Sequence, residues 1–543
     1  MKTIRLLLLL CSLPLAAFSQ NQDSIYIRKN YDKKEVQIAM RDGVQLFTSI
    51  YSPKDKSKKY PILLKRTPYS CAPYGADKFV ANFQNMTLAR SGYIFVFQDV
   101  RGRYMSEGDF VDVRPFVSKT DAESTEIDEA TDTYDAVDWL VKNLPNCNGK
   151  VGVYGISYPG FYATMAALAG HPAIKAVSPQ APVTDWFVGD DFHHNGALML
   201  MDAFSFYSGF GKPRPEPTTE SAKGFEDWKT PDNYDFFLRA GALPNFTNNY
   251  GMGEIPFWND LMAHPDMDDF WKARNPRPHL KNIKPAMLTV GGLFDAEDCF
   301  GAWATYKAIE SQNPPTHPNR IVMGPWVHGG WARTTGERLG SVVFGSKTSD
   351  FFQTKIEAPF FEQHLKDAPD PKLPDAYIFE TGSNKWTTYP AWPPKNAIQA
   401  LALLQPGGKI KIEKDAKRAT QNASVRKRAP GSQPASDDGM GYDEYISDPA
   451  KPVPYTEKVH LNRTREYMTD DQRFAARRPD VLVYQTDVLT EPLTVTGPVT
   501  ADLWVSTSST DADFVVKLID VFPDTLTKRE LGVPLGGYQR LVR

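Results

Sequence analysis

At 543 residues the chain is too long for one ordinary domain, and its 41% hydrophobic and 12% aromatic content is ample for large buried cores. Its 62 basic and 65 acidic side chains leave a formal net charge of -3, which argues against a nucleic-acid-binding surface. The one basic run that stands out, Arg426-Lys427-Arg428, sits in a polar loop and reads as solvated.

The first nineteen residues have the pattern of a secretory signal peptide. Lys2 and Arg5 supply the positive start, residues 6–10 the apolar run, and Ala17-Phe18-Ser19 a small-x-small cleavage site. That run is too short to span a bilayer, and no later stretch is long enough. Leu10 before Cys11 fits lipoprotein processing poorly. The expected product is exported, secreted or periplasmic. Only Cys71, Cys147 and Cys299 would remain in it, too few for a disulfide scaffold. One bridge and three buried thiols are equally compatible with the count. No Cys-x-x-Cys pair or other motif calls for a metal or a cofactor.

From about residue 36 to 174, short β-rich runs alternate with polar stretches. Residues 60–65 and 93–98 read as buried strands, 131–143 as an amphipathic helix, 150–154 as a strand and 161–169 as a helix. Strand, helix and strand in succession predict a parallel α/β sheet. Residues 182–278 change character: rich in Trp, Phe, Met, Asp and Asn, with helical fragments and no clear strands, they suit a cap inserted between core strands. The α/β pattern returns over 279–369, with strands at 286–290 and 320–323 and a helix over 297–310. From 370 to 543 helices fade, and 499–505 and 514–521 read as sandwich strands. The stretch 421–455, dense in Pro, Ser, Gly and Asp, reads as a long loop. The predicted fold is α/β: a parallel α/β core over 20–181 and 279–369, a helical cap over 182–278, and an all-β domain over 370–543.

Gly155-Ile156-Ser157-Tyr158-Pro159-Gly160 joins a strand directly to a helix. A serine there sits on a tight turn that lifts its hydroxyl clear of the sheet, with glycines where strand and helix approach closely. Pro159 takes the place of the second glycine of Gly-x-Ser-x-Gly, and Gly160 follows it. The N–H of Tyr158 is placed to face a developing oxyanion. A serine nucleophile needs a base oriented by an acid, and this fold supplies them in the chain order Ser, acid, His. Asp295 and His328 each follow a predicted core strand, at the carboxyl ends where open α/β sheets bind ligands. Asp295 also suits a helix N-cap, and His328 a packed loop residue. Tyr69, in Arg66-Thr67-Pro68-Tyr69 past an early strand, suits a second oxyanion donor or the pocket lining.

These segments, with Gln98-Asp99-Val100-Arg101-Gly102, Phe294-Asp295-Ala296-Glu297-Asp298 and Gly324-Pro325-Trp326-Val327-His328, resemble the cocaine-esterase-like and Xaa-Pro dipeptidyl-peptidase-like hydrolases, and within them the α-amino-acid ester hydrolases. The resemblance covers nearly the whole mature chain and implies an α/β-hydrolase core over 20–181 and 279–369, a helical cap insertion over 182–278 and an all-β jelly-roll over 370–543. It implies a triad of Ser157, Asp295 and His328, and an oxyanion hole from the Tyr69 hydroxyl and the Tyr158 N–H. It also implies a carboxylate cluster, Asp191, Glu297 and Asp298, that holds a substrate's α-ammonium. On residue chemistry alone, Glu297 and Asp298 equally suit the first turn of a helix, where the dipole favours acids. Asp190 and Asp191 equally suit the surface of a cap loop. Jelly-rolls of this family continue past a segment like residues 535–543, so the resemblance implies a C-terminally incomplete domain.

The expected activity is hydrolysis or transfer of α-amino acyl groups from small-molecule esters and amides, α-amino β-lactams included, through an acyl-enzyme. The alternatives are an Xaa-Pro dipeptidyl peptidase, a glutaryl or cephalosporin-type acylase, or a carbohydrate-binding or adhesion protein with an inert core. No nucleic-acid partner is expected, and a homo-oligomer is left open.

Overall fold

The computed structural model describes residues 13–117, 126–414 and 441–542. The expected signal peptide lies outside them apart from the backbone of residues 13–19, and Arg426-Lys427-Arg428 lies outside them altogether. The described chain divides into two units. The first comprises residues 1–228, 240–339 and 343–388, and the second residues 229–239, 340–342 and 389–543.

In the first unit a helix, α1 (Leu13–Asn30), leads into a ten-stranded sheet. Its strands are β1 (Tyr31–Ala39), β2 (Gln45–Pro53), β3 (Tyr60–Thr67), β4 (Ile94–Asp99), β5 (Cys147–Ile156), β6 (Ile174–Gln180), β7 (Ala286–Gly292), β8 (Asn319–Gly324), β9 (Ala376–Glu380) and β10 (Lys385–Tyr389). They are ordered β1-β2-β4-β3-β5-β6-β7-β8-β9-β10. The β1–β2 and β2–β4 pairs are antiparallel, and every pair from β4–β3 to β8–β9 is parallel. The parallel strands are buried almost end to end, Ile62, Leu63, Leu64, Val151, Val153, Met287 and Leu288 among them. Strands covered on both faces need such apolar runs, which is why these were legible as strands.

Helices link the parallel strands. The helix α2 (Glu129–Asn143) starts in a capping box, with Asp128 accepting from the Thr131 N–H, and buries Ala136, Val137 and Leu140. It is followed after β5 by α3 (Tyr158–Leu168), then by α4 (Leu200–Phe210) in the long segment between β6 and β7. That segment also holds a two-residue ladder, His193–His194 with Ala197–Leu198, where no strand was expected. The helices α5 (Cys299–Gln312) and α6 (Ala358–Lys366) follow β7 and β8 in the chain. Cys71, Cys147 and Cys299 are all buried and none is in a disulfide, so the structure favours three thiols over a bridge.

The second unit carries short β ladders: Leu401–Gln405 with Lys409–Glu413, Ile519–Val521 with Gln539–Leu541, and Arg529–Glu530 with Val533–Pro534. The expected strand at 499–505 joins no ladder, and Trp504 within it is 84% exposed. Of the expected strand at 514–521, only Ile519–Val521 pairs. Alternation in a sequence says which side chains share a face, but a strand forms only where a partner supplies hydrogen bonds and cross-strand contacts.

Candidate active site

The serine turn is built as its residues require. Ser157 stands between β5 and α3 with φ 71°, a left-handed value costly for a side chain with a Cβ. Its N–H donates to the Gln180 carbonyl at 2.9 Å, which fixes the turn against β6. A Cβ on Gly155 would lie 2.2 Å from the Pro159 carbonyl oxygen, and one on Gly160 would lie 2.5 Å from that of Gln180. Only glycine fits either place, so the shifted motif keeps the function of the usual one. The Tyr158 N–H is in the first turn of α3 and has no acceptor within that helix.

Asp295 and His328 come from the ends of β7 and β8. The carboxylate is fully buried, and its Oδ2 lies 2.9 Å from His328 Nδ1. Its Oδ1 accepts the N–H groups of Glu297 and Asp298 at 2.8 and 3.0 Å. Asp295 therefore both organises the start of the next helix and orients the imidazole. Burial alone would raise its pKa, but the charge and hydrogen bond of His328 and the two backbone donors hold it below the usual range. For His328, burial pulls downward, while Asp295, Glu297 and Asp191 outweigh it and push the imidazole up to about 9.

Tyr69 stands on the other side of Ser157. Its loop is clamped: the Tyr69 N–H donates to Thr67 Oγ1, and Arg103 Nε donates to the Pro68 carbonyl. Beneath it, the fully buried Arg66 donates to Gln98 Oε1 and Glu129 Oε2, both at 2.9 Å. Arg101 Nη2 donates to Asp132 Oδ1 at 2.7 Å. The Gln98–Gly102 motif is thus the foundation of the Tyr69 loop. The Tyr69 residue is 41% exposed, yet its hydroxyl end is enclosed. Enclosure first, then the carboxylates of Asp191 and Asp298, hold the phenol well above its ordinary pKa; a hydrogen bond with Ser157 pulls the other way. The group stays a donor at neutral pH. Its ring faces those of Tyr158, Phe206 and Phe210 at 6.4, 6.4 and 5.5 Å.

The acids converge on the same place. Asp298 is fully buried at the N-cap of α5 but makes no side-chain cap bond. Its carboxylate is therefore not committed to the helix end. Its Oδ2 lies 3.4 Å from Ser157 Oγ, and its Oδ1 is buried without a hydrogen-bond donor. Burial, then Asp191, Asp190, Asp295 and Glu297, push its pKa well above the carboxylate range. Asp191 accepts from Trp186 Nε1 at 2.8 Å, and its own N–H donates to the Glu297 carbonyl at 3.0 Å. Burial and the charge of Glu297 push its carboxyl upward as well. Glu297 Oε2 lies 3.3 Å from His328 Nε2.

The structure thus gathers all eight expected residues: Tyr69, Ser157, Tyr158, Asp191, Asp295, Glu297, Asp298 and His328. It adds Asp190, which by sequence suits the surface of a cap loop. Asp190 is fully buried and accepts from the N–H groups of Thr184, Asp185 and Gly301 and from Thr184 Oγ1, all within 2.9 Å. It ties the loop that carries Asp191 to the first turn of α5, which follows Asp298. The signal for it was a run of two acids beside a glycine, too common to act on. Among the described residues no cluster of His, Cys, Asp and Glu is arranged to hold a metal ion. A serine on a tight strand–helix turn and an imidazole oriented by a buried carboxylate, each from the end of a core strand, are the parts that nucleophilic acyl transfer needs.

Comparison with known proteins agrees with this chemistry. Residues 42–330 match the X-Pro dipeptidyl-peptidase (S15) family, and residues 371–541 match the X-Pro dipeptidyl-peptidase C-terminal non-catalytic domain. The chain is 29% identical to a cocaine esterase of Rhodococcus sp. (strain MB1 Bresler), over 90% of this chain and 80% of that protein. Among solved structures it superposes on an aminopeptidase from a marine sediment Thaumarchaeota archaeon with a TM-score of 0.81 at 37% identity. It superposes on an α-amino acid ester hydrolase with a TM-score of 0.80 at 35% identity, each match covering 94% of this chain and 81% of the other. The chain therefore belongs to the X-Pro dipeptidyl-peptidase (S15) family and is a serine hydrolase.

Proposed function

We propose that this hydrolase takes substrates with a free α-amino group, acylating Ser157 with an α-amino acyl unit from a small-molecule ester or amide, α-amino β-lactams included. The observation that carries the reading is Asp298 Oδ1: buried, without a donor, beside the nucleophile and flanked by Asp191 and Glu297. A substrate ammonium brings three N–H donors and the opposite charge, and so meets both needs of that oxygen. His328 takes the proton of Ser157 as the hydroxyl attacks, then passes it to the leaving alcohol or amine. Asp295 holds the imidazole, and the Tyr158 N–H and Tyr69 hydroxyl receive the oxyanion. Water, or a competing amine, then releases the acyl group. No cofactor enters these steps, and the leader pattern of residues 1–19 supports an exported enzyme.

An Xaa-Pro dipeptide also carries a free ammonium, one residue farther from the scissile carbonyl. The 3.4 Å contact between Ser157 Oγ and Asp298 Oδ2 favours an ammonium on the carbon next to the reacting carbonyl. The test compares an amino-acid methyl ester with its N-acetylated form and with an Xaa-Pro anilide. The free ester should lead in kcat/KM by about 10²-fold or more over the blocked one, as loss of a buried charge partner implies. Equal rates on free and blocked esters would remove the ammonium site.

A further inference from the structure

In a working triad the imidazole Nε2 must receive the serine proton. Here Nε2 lies 3.3 Å from Glu297 Oε2, and the Ser157 hydroxyl donates to Asp298 Oδ2 instead. Both reacting partners thus point at carboxylates of the ammonium site. The charged groups facing the imidazole are Asp295, Glu297 and Asp298 from the segment after β7 and Asp191 from the segment after β6. In the empty site His328 is the cation that answers these acids.

The four acids differ in their freedom to move. Asp298 and Asp295 are fully buried, and Asp191 is tied at both its carboxylate and its N–H. The Glu297 side chain is 29% exposed and has the longest stem of the four. It is the one able to swing between two cations.

We propose that Glu297 is a specificity-determining residue that acts on turnover as well as on binding: it occupies His328 Nε2 in the empty site and releases it to Ser157 when a substrate ammonium takes over its charge. The inference rests on the α-aminoacyl reading and adds to it a reason for poor turnover of uncharged esters. An ester without an ammonium can enter and still meet an imidazolium locked against Glu297. A free amino ester brings its own cation, and the imidazole reverts to a base. Discrimination then falls on the chemical step as well as on affinity.

The test uses the full chain and an uncharged organophosphonyl fluoride, which modifies Ser157 without needing an ammonium site. Its rate is measured alone and with a small primary ammonium that carries no acyl group, such as ethylammonium. The ammonium should accelerate labelling at pH 7 by about tenfold or more, because it restores a base that is otherwise mostly protonated. In Glu297→Gln the rate without ammonium should already match the accelerated rate, with less than about a twofold further gain. The pH at which unassisted labelling reaches half its maximum should also fall toward the ordinary range for histidine, a shift that a purely structural role for Glu297 does not produce. Unchanged or slower labelling with ammonium in the native chain, or slower labelling in Glu297→Gln, would overturn the proposal. If the ammonium merely competes while free esters still outpace N-acetylated ones, the gate is wrong and the α-aminoacyl reading stands.

Discussion

Replacing Asp298 by asparagine separates binding of the ammonium from the acyl-transfer machinery, and its effects on activity and stability should run in opposite directions. The side chain is fully buried, accepts from Ser157 at a long 3.4 Å, and leaves Oδ1 without a donor. Asparagine has nearly the same shape and carries no charge. A substrate ammonium that loses a buried carboxylate partner loses about 3–5 kcal/mol, so kcat/KM for a free amino-acid ester should fall by about 10²–10⁴-fold. For the N-acetylated ester the change should stay within about threefold, since Ser157, His328 and Asp295 keep their places. Stability should move the other way. A carboxyl whose folded pKa is raised supports the fold while it is protonated, and that support is lost as pH rises through the folded value. Asp298 is such a group, through burial and then through Asp191, Asp190, Asp295 and Glu297. Asparagine never has to carry that charge. The variant should melt with the native chain near pH 4 and above it at pH 8, by at least about 1 kcal/mol, the cost of one unsatisfied buried polar atom. Thermal melts at both pH values, beside kinetics on the paired esters, check this. Equal losses on both esters, or a variant less stable at pH 8, would refute the reasoning.

Ser157→Ala should lower turnover of any ester by about 10⁴–10⁶-fold while leaving the circular dichroism spectrum unchanged. Tyr69→Phe removes a donor to the oxyanion and should lower kcat by about 10²–10³-fold with little change in KM; stopped-flow separation of acylation from release shows whether the first step is the one slowed. Asp190→Ala orphans four donors and frees the Asp191 loop, so it should cost about 2–4 kcal/mol in denaturant unfolding. It should also narrow the preference for free over N-acetylated esters, and Asp190→Asn should recover part of both.

The core was legible because its signals are local. Strands covered on both faces read as unbroken apolar runs: β3, β4, β7 and β8 appear within two residues of the expected runs and β5 starts three residues earlier, while β6 had no run singled out for it. Ser157, Asp295 and His328 were legible through order and placement: each stands at the carboxyl end of a strand, which periodicity alone predicts. The acids were different. A carboxylate at the start of a helix is favoured by the helix whatever else it does, so spacing does not distinguish a cap from a ligand, and Asp191, Glu297 and Asp298 entered through resemblance. The distinction needed coordinates, because it rests on the absence of a side-chain cap bond at Asp298. Asp190, the Arg66–Glu129 and Arg101–Asp132 pairs and the contact of Glu297 with His328 were not legible at all. Each joins residues far apart in the chain or turns on which carboxylate oxygen faces which donor.

Why a fold would gather so many acids near one imidazole follows from how they are restrained. Asp190 accepts from four donors, and Asp295 holds its charge against His328 and two backbone N–H groups. Burial pushes the Asp190 carboxyl up to about 7 while Asp295 stays below the usual carboxylate range, and both fix the loops that carry Asp191 and Asp298. Those remaining acids repel each other in a dry site, which costs stability for as long as the site is empty. Backbone strain is placed alongside, with positive φ at both Ser157 and Asp191. An ammonium relieves the repulsion when it arrives, so part of its binding energy exists before it makes a single hydrogen bond. On the α-aminoacyl reading, the charge that selects the substrate also sets whether His328 is free to act on Ser157. On that reading, recognition of the amine and assembly of the nucleophile are two consequences of one electrostatic arrangement joined through Glu297, and a Glu297 variant that loses the preference for free esters while Ser157 labelling keeps its native rate and pH profile would show that the coupling is absent.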